Sequence, residues 1–273
     1  MNKLYQIYQV SDSTGETLDR IFLALKAQFS NFDCKTIHYS FTRTKNQIDK
    51  IISKSITEKN VIILYTIVDN DLSKYLVAEA NKNSIPNFAV LGNLISDFSK
   101  LLKQKATRIP SGQHILDKEY YKRIEAVQFT MSHDDGKIIN DLDKSDVILV
   151  GVSRTSKTPT SIYLANRGYK VSNIPIIPNK NLPKELTENP KKNFVVGLIC
   201  DVSRLSDVRR NRIQSMHEDR TVDYTNEVEI TNEIENSKKI FKKNDWPIID
   251  VTRKSVEETA ASIIKILDIL NSR

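Results

Sequence analysis

The chain has 273 residues, of which 39% are hydrophobic and 27% charged, and its formal net charge is +7. This composition is ordinary for a soluble globular protein with one large domain or two modest ones. The two cysteines are too few for a disulfide framework or a zinc site, and no apolar stretch is long enough to span a bilayer. The basic residues are scattered, so we expect a cytoplasmic protein with neither a nucleic-acid nor a membrane partner.

Short β-branched runs alternate with longer amphipathic stretches in the first part of the chain. The run VIILYTIV is continuously apolar, as expected for a strand buried on both faces. We predict strands at 4–10, 34–41, 61–68 and 86–92, and helices at 15–29, 45–56 and 72–83. This alternation predicts an N-terminal open, largely parallel α/β domain over residues 1–105.

The segment SDSTGET lies between the first predicted strand and the first predicted helix. The hydroxyl groups of Ser11, Ser13 and Thr14, together with Gly15, could bind a second anion at the helix N-terminus. The alternative is a plain helix N-cap.

Residues 106–117 fall in a stretch that combines Lys, Pro, Ser and Gly with weak periodicity, which predicts a linker or an exposed loop. The α/β alternation then resumes over 118–273. We predict strands at 146–150, 170–177, 193–201 and 246–252, and helices at 118–136, 160–168, 204–217, 224–244 and 255–270. Ser255 and Glu258 form a capping box at the start of the last helix.

The segment GVSRTSKT (151–158) resembles a phosphate-binding loop, G-x-x-x-x-G-K-[ST], except that Ser156 replaces the second glycine. An apolar strand precedes it and a helix follows, so backbone N–H groups can face an anion. Lys157 would contact the outer phosphates, Thr158 would ligate Mg²⁺, and Arg154 could clamp a phosphate. The predicted nucleotide site consists of Gly151, Val152, Ser153, Arg154, Thr155, Ser156, Lys157 and Thr158. The alternative is a basic loop that matches by chance.

Acidic and basic side chains outside this loop are further candidates for catalysis. Asp201 ends an apolar strand, where P-loop enzymes have an acid on the magnesium side, and it could also be the general base. The segment SHDDG offers His133, Asp134 and Asp135 as alternative proton acceptors, although such a sequence is also typical of a solvated turn. Four arginines after Asp201 could stabilise phosphate charge or form an ordinary solvated face: Arg204, Arg209, Arg210 and Arg212.

Four segments together resemble one known family. They are VSDSTGETLDRI, HDDG, GVSRTSKTPTSIYLANRGYKVSNIPI and WPIIDVTRKSVEETAASI, and the similarity extends from near residue 4 to near residue 270. They are similar to the pyruvate, phosphate dikinase regulatory proteins and the phosphoenolpyruvate synthase regulatory proteins, in which a serine at the position of Ser156 is typical. The resemblance implies a P-loop-containing, kinase-like α/β domain over 118–273, with Lys157 among its catalytic residues.

The resemblance also implies a bifunctional enzyme. One activity phosphorylates a threonine or serine of the target with ADP as donor and switches the target off. The other removes that phosphate with inorganic phosphate, releases pyrophosphate and restores the target. We favour pyruvate, phosphate dikinase as the target over phosphoenolpyruvate synthase, and Mg²⁺ as the accompanying metal.

Two readings from other functional classes stay open at this point. A small-molecule P-loop kinase would share the second half of the chain but leave the first half without a role. A nucleotide-sensing protein would bind without turnover. A homodimer is compatible with either reading.

Overall fold

A computed structural model describes residues 3–112, 117–178, 180–187, 194–216 and 222–272. The chain divides into two compact units, Met1–Ile115 and Leu116–Arg273. Each unit contains one four-stranded sheet in which every strand pair is parallel. The α/β class predicted from the sequence is therefore confirmed.

The first unit alternates strands and helices. Its strands are β1 (Tyr5–Ser11), β2 (Cys34–Tyr39), β3 (Val61–Thr66) and β4 (Asn87–Ala89), and its helices are α1 (Glu16–Lys26), α2 (Lys45–Thr57), α3 (Asn70–Lys82) and α4 (Gly92–Leu102). The sheet order is β2-β1-β3-β4. Because β2 and β3 lie on opposite sides of β1, the loops after β1 and β3 flank a crevice at the carboxyl ends of the strands, where open α/β sheets bind ligands.

Both faces of this sheet are covered by helices. Successive side chains of a strand point to opposite faces. Tyr8 and Val10 accordingly pack in one cluster with residues of α2 and α3, whereas Ile7 packs in another with Leu18 and Phe22 of α1. This explains why β1 and β3 are apolar along most of their length.

The second unit repeats the same arrangement with different connections. Its strands are β5 (Val147–Gly151), β6 (Val171–Pro175), β7 (Val195–Ile199) and β8 (Ile248–Asp250), and its helices are α5 (Lys118–Ser132), α6 (Lys157–Ala165), α7 (Lys184–Thr187), α8 (Val202–Met216), α9 (Glu227–Lys243) and α10 (Val256–Asn271). The sheet order is β6-β5-β7-β8. The loop after β5, GVSRTSKT, therefore lies at the reversal of strand order in this sheet.

The core of the second unit also has two layers. Val147 and Leu149 of β5 pack with Ile263 of α10, while Ile148 and Val150 pack in a separate cluster that includes residues of α9. The central strand is thus buried on both faces, and this fixes the position of the loop that follows it.

Several boundaries differ from the sequence prediction. Helix α4 was not predicted, and β4 is shorter than the strand expected at 86–92. The helix expected at 118–136 ends at Ser132, after which Asp134–Gly136 forms a separate 3₁₀ turn.

Part of the segment predicted as a linker is attached to the first unit. Arg108 Nη1 donates to the carbonyl of Val68 at 3.1 Å, and the hydroxyl of Ser111 donates to that of Ser13 at 2.9 Å. Among the helices that the structure describes, none is both long and apolar enough to cross a membrane.

Candidate phosphate-binding site

The loop between β5 and α6 begins at a glycine that no other residue could replace without rearrangement. A Cβ at Gly151 would lie 2.6 Å from the carbonyl oxygen of Leu198 and 2.9 Å from Oγ1 of Thr155. Both distances are too short for real atoms, so the close approach of β5 and β7 at this point requires glycine. The hydroxyl of Thr155 donates to the carbonyl of Val152 at 3.0 Å, which closes the loop on itself.

The loop turns by means of two residues in the left-handed region. Arg154 has φ 74° and Ser156 has φ 58°, and Ser156 immediately precedes α6. Glycine adopts such angles most readily, so the structure explains why a glycine is usual at the position of Ser156. Serine adopts the same left-handed backbone conformation here at a cost of about 1 kcal/mol.

Lys157 is buried beneath the loop. Its side chain is 5% exposed, and its Nζ donates to the carbonyl of Val152 at 2.9 Å. Burial lowers the pKa of Lys157 to about 8, although the negative charges of Asp135 and Asp134 oppose the shift. A buried cation is costly unless an anion accompanies it, so this site favours a negatively charged ligand.

A cavity of about 780 Å³ opens beside Lys157 and lies within the range of ordinary ligand pockets. Apolar lining residues include Pro175, Ile176 and Ile177, at and just after the end of β6. Other lining residues come from α8, α9 and Tyr224. The lining also includes Asp135, Arg154, Thr158 and Asn173. The cationic loop 151–158, called the phosphate loop below, can accommodate the phosphates of a nucleotide, and the apolar surface beside it can accommodate the base.

The SHDDG segment is brought against the phosphate loop by β6. The backbone N–H of Asn173 donates to the carbonyl of His133 at 3.1 Å, which anchors the turn. The hydroxyl of Thr158 then donates to Oδ1 of Asp134 at 3.0 Å. Asp135, with φ 59°, lies in the cavity lining. The two aspartates therefore meet the loop although they precede it by many residues.

His133 does not share this position. It is 4% exposed, its ring stacks on Phe129 at 3.8 Å between centroids, and its Nδ1 lies 2.8 Å from the carbonyl of Phe129. His133 is not among the residues that line the cavity. These contacts are those of a packed side chain at the end of α5, and the catalytic role of His133 stays a prediction.

Asp201 is also placed outside the cavity lining. Its Oδ1 accepts from the backbone N–H of Ser203 at 2.9 Å and from the hydroxyl of Ser203 at 2.7 Å, at the start of α8. The hydrogen bond from the Ser203 hydroxyl makes the largest contribution to holding the pKa of Asp201 below its usual value, and backbone N–H groups add to it. Oδ1 of Asp201 therefore caps the N-terminus of α8, and the role of Asp201 as magnesium-side acid or general base stays a prediction.

Of the four candidate arginines, only Arg209 lines the cavity; Arg204, Arg210 and Arg212 are exposed. Arg209 is fully buried and forms an ion pair with Glu233 at 2.6 Å. Its guanidinium also lies 4.6 Å from the ring centroid of Tyr224 and donates to that residue's carbonyl at 3.1 Å. Arg209 therefore joins α8 and α9 to one wall of the cavity.

Tyr224 connects this wall to the loop. Its hydroxyl is 3.1 Å from the hydroxyl of Ser153 and accepts from Nε of Arg154 at 3.4 Å. Burial raises the pKa of Tyr224, but the bonds with Ser153 and Arg154 and the nearby positive charges outweigh it and leave the pKa below its usual value. The hydroxyl is accordingly held in a cationic environment.

Sequence reasoning missed Asn173, Tyr224 and Glu233. Asn173 is 1% exposed and interrupts the apolar strand KVSNIPII, so a buried polar residue in a strand was an available signal. No comparable signal marks the other two, because their roles depend on contacts with Arg154 and Arg209 across the fold.

The candidate anion loop of the first unit lines a smaller cavity of about 150 Å³. Ser11, Ser13, Thr14 and Gly15 all contribute to it, and Gly15, with φ 92°, precedes α1. The buried carboxylate of Asp12 lies in the same lining and accepts from the N–H of Val68 at 2.7 Å. Burial raises the pKa of Asp12.

Comparison with known proteins places this geometry in a family. The model of the kinase/pyrophosphorylase family matches residues 7–264. A relative from Pelagibacter ubique (strain HTCC1062) is 59% identical over 269 residues, 98% of both chains. Relatives from Sphingopyxis alaskensis and Sinorhizobium medicae are 41% and 43% identical and cover 98% and 95% of both chains. All three carry the name "Putative pyruvate, phosphate dikinase regulatory protein". The family predicted from the sequence is confirmed, and the chain belongs to the kinase/pyrophosphorylase family.

Proposed function

We propose that this chain is a cytoplasmic, bifunctional regulator of pyruvate, phosphate dikinase. It phosphorylates a threonine of that enzyme with ADP as donor, which inactivates the target. It also removes the phosphate with inorganic phosphate, which releases pyrophosphate and reactivates the target. The names of the relatives support this target over phosphoenolpyruvate synthase.

One observation carries the proposal: the buried Lys157 begins the helix of a strand–loop–helix unit and lines a cavity that Asp135 also lines. Phosphoryl transfer depends mainly on positioning and on neutralising charge on the transferring group. Lys157 and the loop N–H groups supply the positive charge. Asp135, which lines the same cavity and is exposed, supplies a carboxylate that a protein hydroxyl can reach.

In the kinase direction, the hydroxyl oxygen of the target threonine attacks the β-phosphorus of ADP. The bond from that phosphorus to the bridging oxygen breaks, and AMP leaves with the bridging oxygen. Asp135 takes the proton of the hydroxyl as general base. Lys157 and Arg154 compensate the charge of the phosphoryl oxygens. Mg²⁺ bound with the nucleotide would supply further charge neutralisation at Thr158.

In the reverse activity, inorganic phosphate occupies the loop. One of its oxygens attacks the phosphorus of the phosphothreonine, and the bond to the threonine oxygen breaks. Asp135 accepts the proton of the attacking phosphate and passes it to that oxygen, and pyrophosphate leaves. Both directions use the same cation and the same carboxylate, so a single site is sufficient.

The decisive experiment incubates the purified protein with ADP and with each of the two candidate target enzymes, and locates the phosphate by mass spectrometry. We expect one phosphothreonine on pyruvate, phosphate dikinase, and its loss with formation of pyrophosphate when ADP is replaced by inorganic phosphate. Lys157→Met should abolish both reactions, because both need the same buried cation. Lys239→Met, at an exposed position of α9, is the matched control and should keep both.

Other outcomes would point to other functions. Nucleotide turnover in the absence of either target would favour a small-molecule kinase. Tight ADP binding without transfer to either target would favour a nucleotide-sensing protein. Retention of phosphorolysis by Lys157→Met would contradict the single site.

The role of Asp135 has its own test. Asp135→Asn should lower the transfer rate at saturating ADP by about 10²- to 10⁴-fold and leave ADP affinity nearly unchanged, because a base contacts the acceptor rather than the donor. Asp207→Asn, on the exposed surface of α8, is the control. A variant at Asp135 that transfers phosphate at the normal rate would rule this residue out as the base.

A further inference from the structure

A cluster of three oxygen-bearing side chains lies at the start of α6. Oδ1 of Asp134 accepts from the hydroxyl of Thr158 at 3.0 Å and from Nδ2 of Asn173 at 2.5 Å. Nδ2 of Asn173 also donates to the hydroxyl oxygen of Thr158 at 3.1 Å. Each pair in the cluster is therefore joined by a hydrogen bond.

The carboxylate fixes the orientation of the Asn173 amide. An ionised carboxylate only accepts hydrogen bonds, so Asn173 must turn its NH₂ group toward Asp134. The amide oxygen of Asn173 is then buried, since the residue is 1% exposed. Within the part of the chain that the structure describes, this oxygen has no hydrogen-bond partner. A buried acceptor without a donor is costly, and Asn173 lies in the lining of the cavity.

These atoms suit a hard cation. Mg²⁺ takes oxygen ligands, and beside substrate phosphates it uses one or two protein groups and keeps several waters. No group of three or more His, Cys, Asp or Glu side chains in the described residues could hold a metal by itself, so phosphate oxygens would have to complete any such site. The cluster offers a hydroxyl and a carboxylate, held in place by the amide of Asn173, at the start of α6.

We propose that Asp134 and Asn173, rather than Asp201, form the metal side of the site together with Thr158. The proposal rests on the proposed function, because the ion arrives with the phosphates of ADP. Thr158 holds the ion, Asp134 supplies the negative charge beside it, and the amide NH₂ group of Asn173 positions both side chains. Asp134 is then the metal-side acid, and Asp135 stays available as the base.

The test measures ADP affinity by isothermal titration calorimetry, once with Mg²⁺ and once with EDTA. The wild-type protein should bind ADP more tightly with Mg²⁺. Asp134→Asn and Asn173→Ala should each lose about 10- to 100-fold of affinity with Mg²⁺ and almost none with EDTA, as expected for groups that support a metal. Asp201→Asn is the matched control and should keep the full difference between the two conditions.

A purely structural role would lower both affinities equally, and that result would overturn the proposal. Loss of the Mg²⁺ effect in Asp201→Asn, with Asp134→Asn unaffected, would assign the metal to Asp201 instead. An equal affinity of the wild-type protein in Mg²⁺ and EDTA would overturn the metal site but leave ADP-dependent transfer intact, whereas an absence of ADP binding in both would overturn the proposed function as well. If Asp134→Asn does not fold, Thr158→Val tests the same cluster from an exposed position, with Mn²⁺ titration in the presence of ADP as the readout.

Discussion

At the residue scale, the ammonium group of Lys157 is buried and donates to the carbonyl of Val152. Its pKa of about 8 makes its charge sensitive to pH in an accessible range. A bound phosphate raises this pKa because an opposite charge favours the protonated form. The complex then holds more protons than the free protein above pH 8, so phosphate affinity should fall as the pH rises through about 8.

Calorimetric titrations of ADP near pH 7, 8 and 9 measure this effect. Lys157→Met should bind ADP weakly at each pH. Its affinity should not change with pH, since methionine has no proton to exchange. An affinity of the wild-type protein that does not change across these values would contradict the assignment of Lys157 as the phosphate contact.

Ser156 supports a second prediction at this scale. Because its φ is 58°, Ser156→Gly relieves a left-handed serine but adds freedom to the unfolded chain. We expect the free energy of unfolding to change by less than about 1 kcal/mol and ADP binding to be kept. The same substitution at Ser262, inside α10, should destabilise by about 0.5–1 kcal/mol. A folded Ser156→Gly protein that no longer binds ADP would show that the hydroxyl itself is needed.

At the scale of elements, β7 and α9 approach so closely that only a glycine fits between them. A Cβ at Gly197 would lie 2.5 Å from Cδ2 of Phe241, whose ring is fully buried. Gly197→Ala should lower the free energy of unfolding by about 1–3 kcal/mol, as overpacked cores do. Gly112→Ala, which has open space around it, should be nearly neutral. Urea unfolding of both variants measures this difference. Equal midpoints would contradict the close contact between Gly197 and Phe241.

Helices α8 and α9 are joined by the ion pair of Arg209 and Glu233, in which the arginine side chain is 1% exposed. Glu233→Gln leaves a buried guanidinium without its opposite charge and should cost about 3–5 kcal/mol. The exposed pair of Arg210 and Asp207, at 3.8 Å, is the comparison, and Asp207→Asn should cost at most about 1 kcal/mol. Similar losses in the two variants, measured by urea unfolding, would argue against Arg209 as the connection between the helices.

At the scale of the whole molecule, the two units have the same strand order, and each has a hydroxyl-bearing loop after the strand at which that order reverses. The phosphate loop and every residue lining its cavity belong to the second unit, which has its own hydrophobic clusters. A fragment of residues 116–273 should therefore fold and bind ADP with nearly the affinity of the full chain. A fragment that folds by circular dichroism but does not bind ADP would show that the first unit contributes to the site.

Most of the secondary structure could be predicted from the sequence, because apolar periodicity and helix caps are local properties. The capping box of Ser255 and Glu258 is present at α10 as predicted. Helix α4 was missed although Leu94, Phe98 and Leu101 recur at helical spacing, since the strand prediction was extended to residue 92. In that case the local sequence already contained the pattern that predicts a helix.

The sequence by itself determined the α/β class and the family. It also predicted a phosphate-binding loop, because the strand, the loop and the helix that form it are contiguous in the chain. Only the tertiary structure decided which acids meet that loop. Asp134 reaches Thr158 because β6 anchors the turn after α5 through the carbonyl of His133, whereas the carboxylate of Asp201 is occupied at the N-terminus of α8. Such contacts join residues far apart in sequence, so they depend on how the elements pack and leave no local pattern to read.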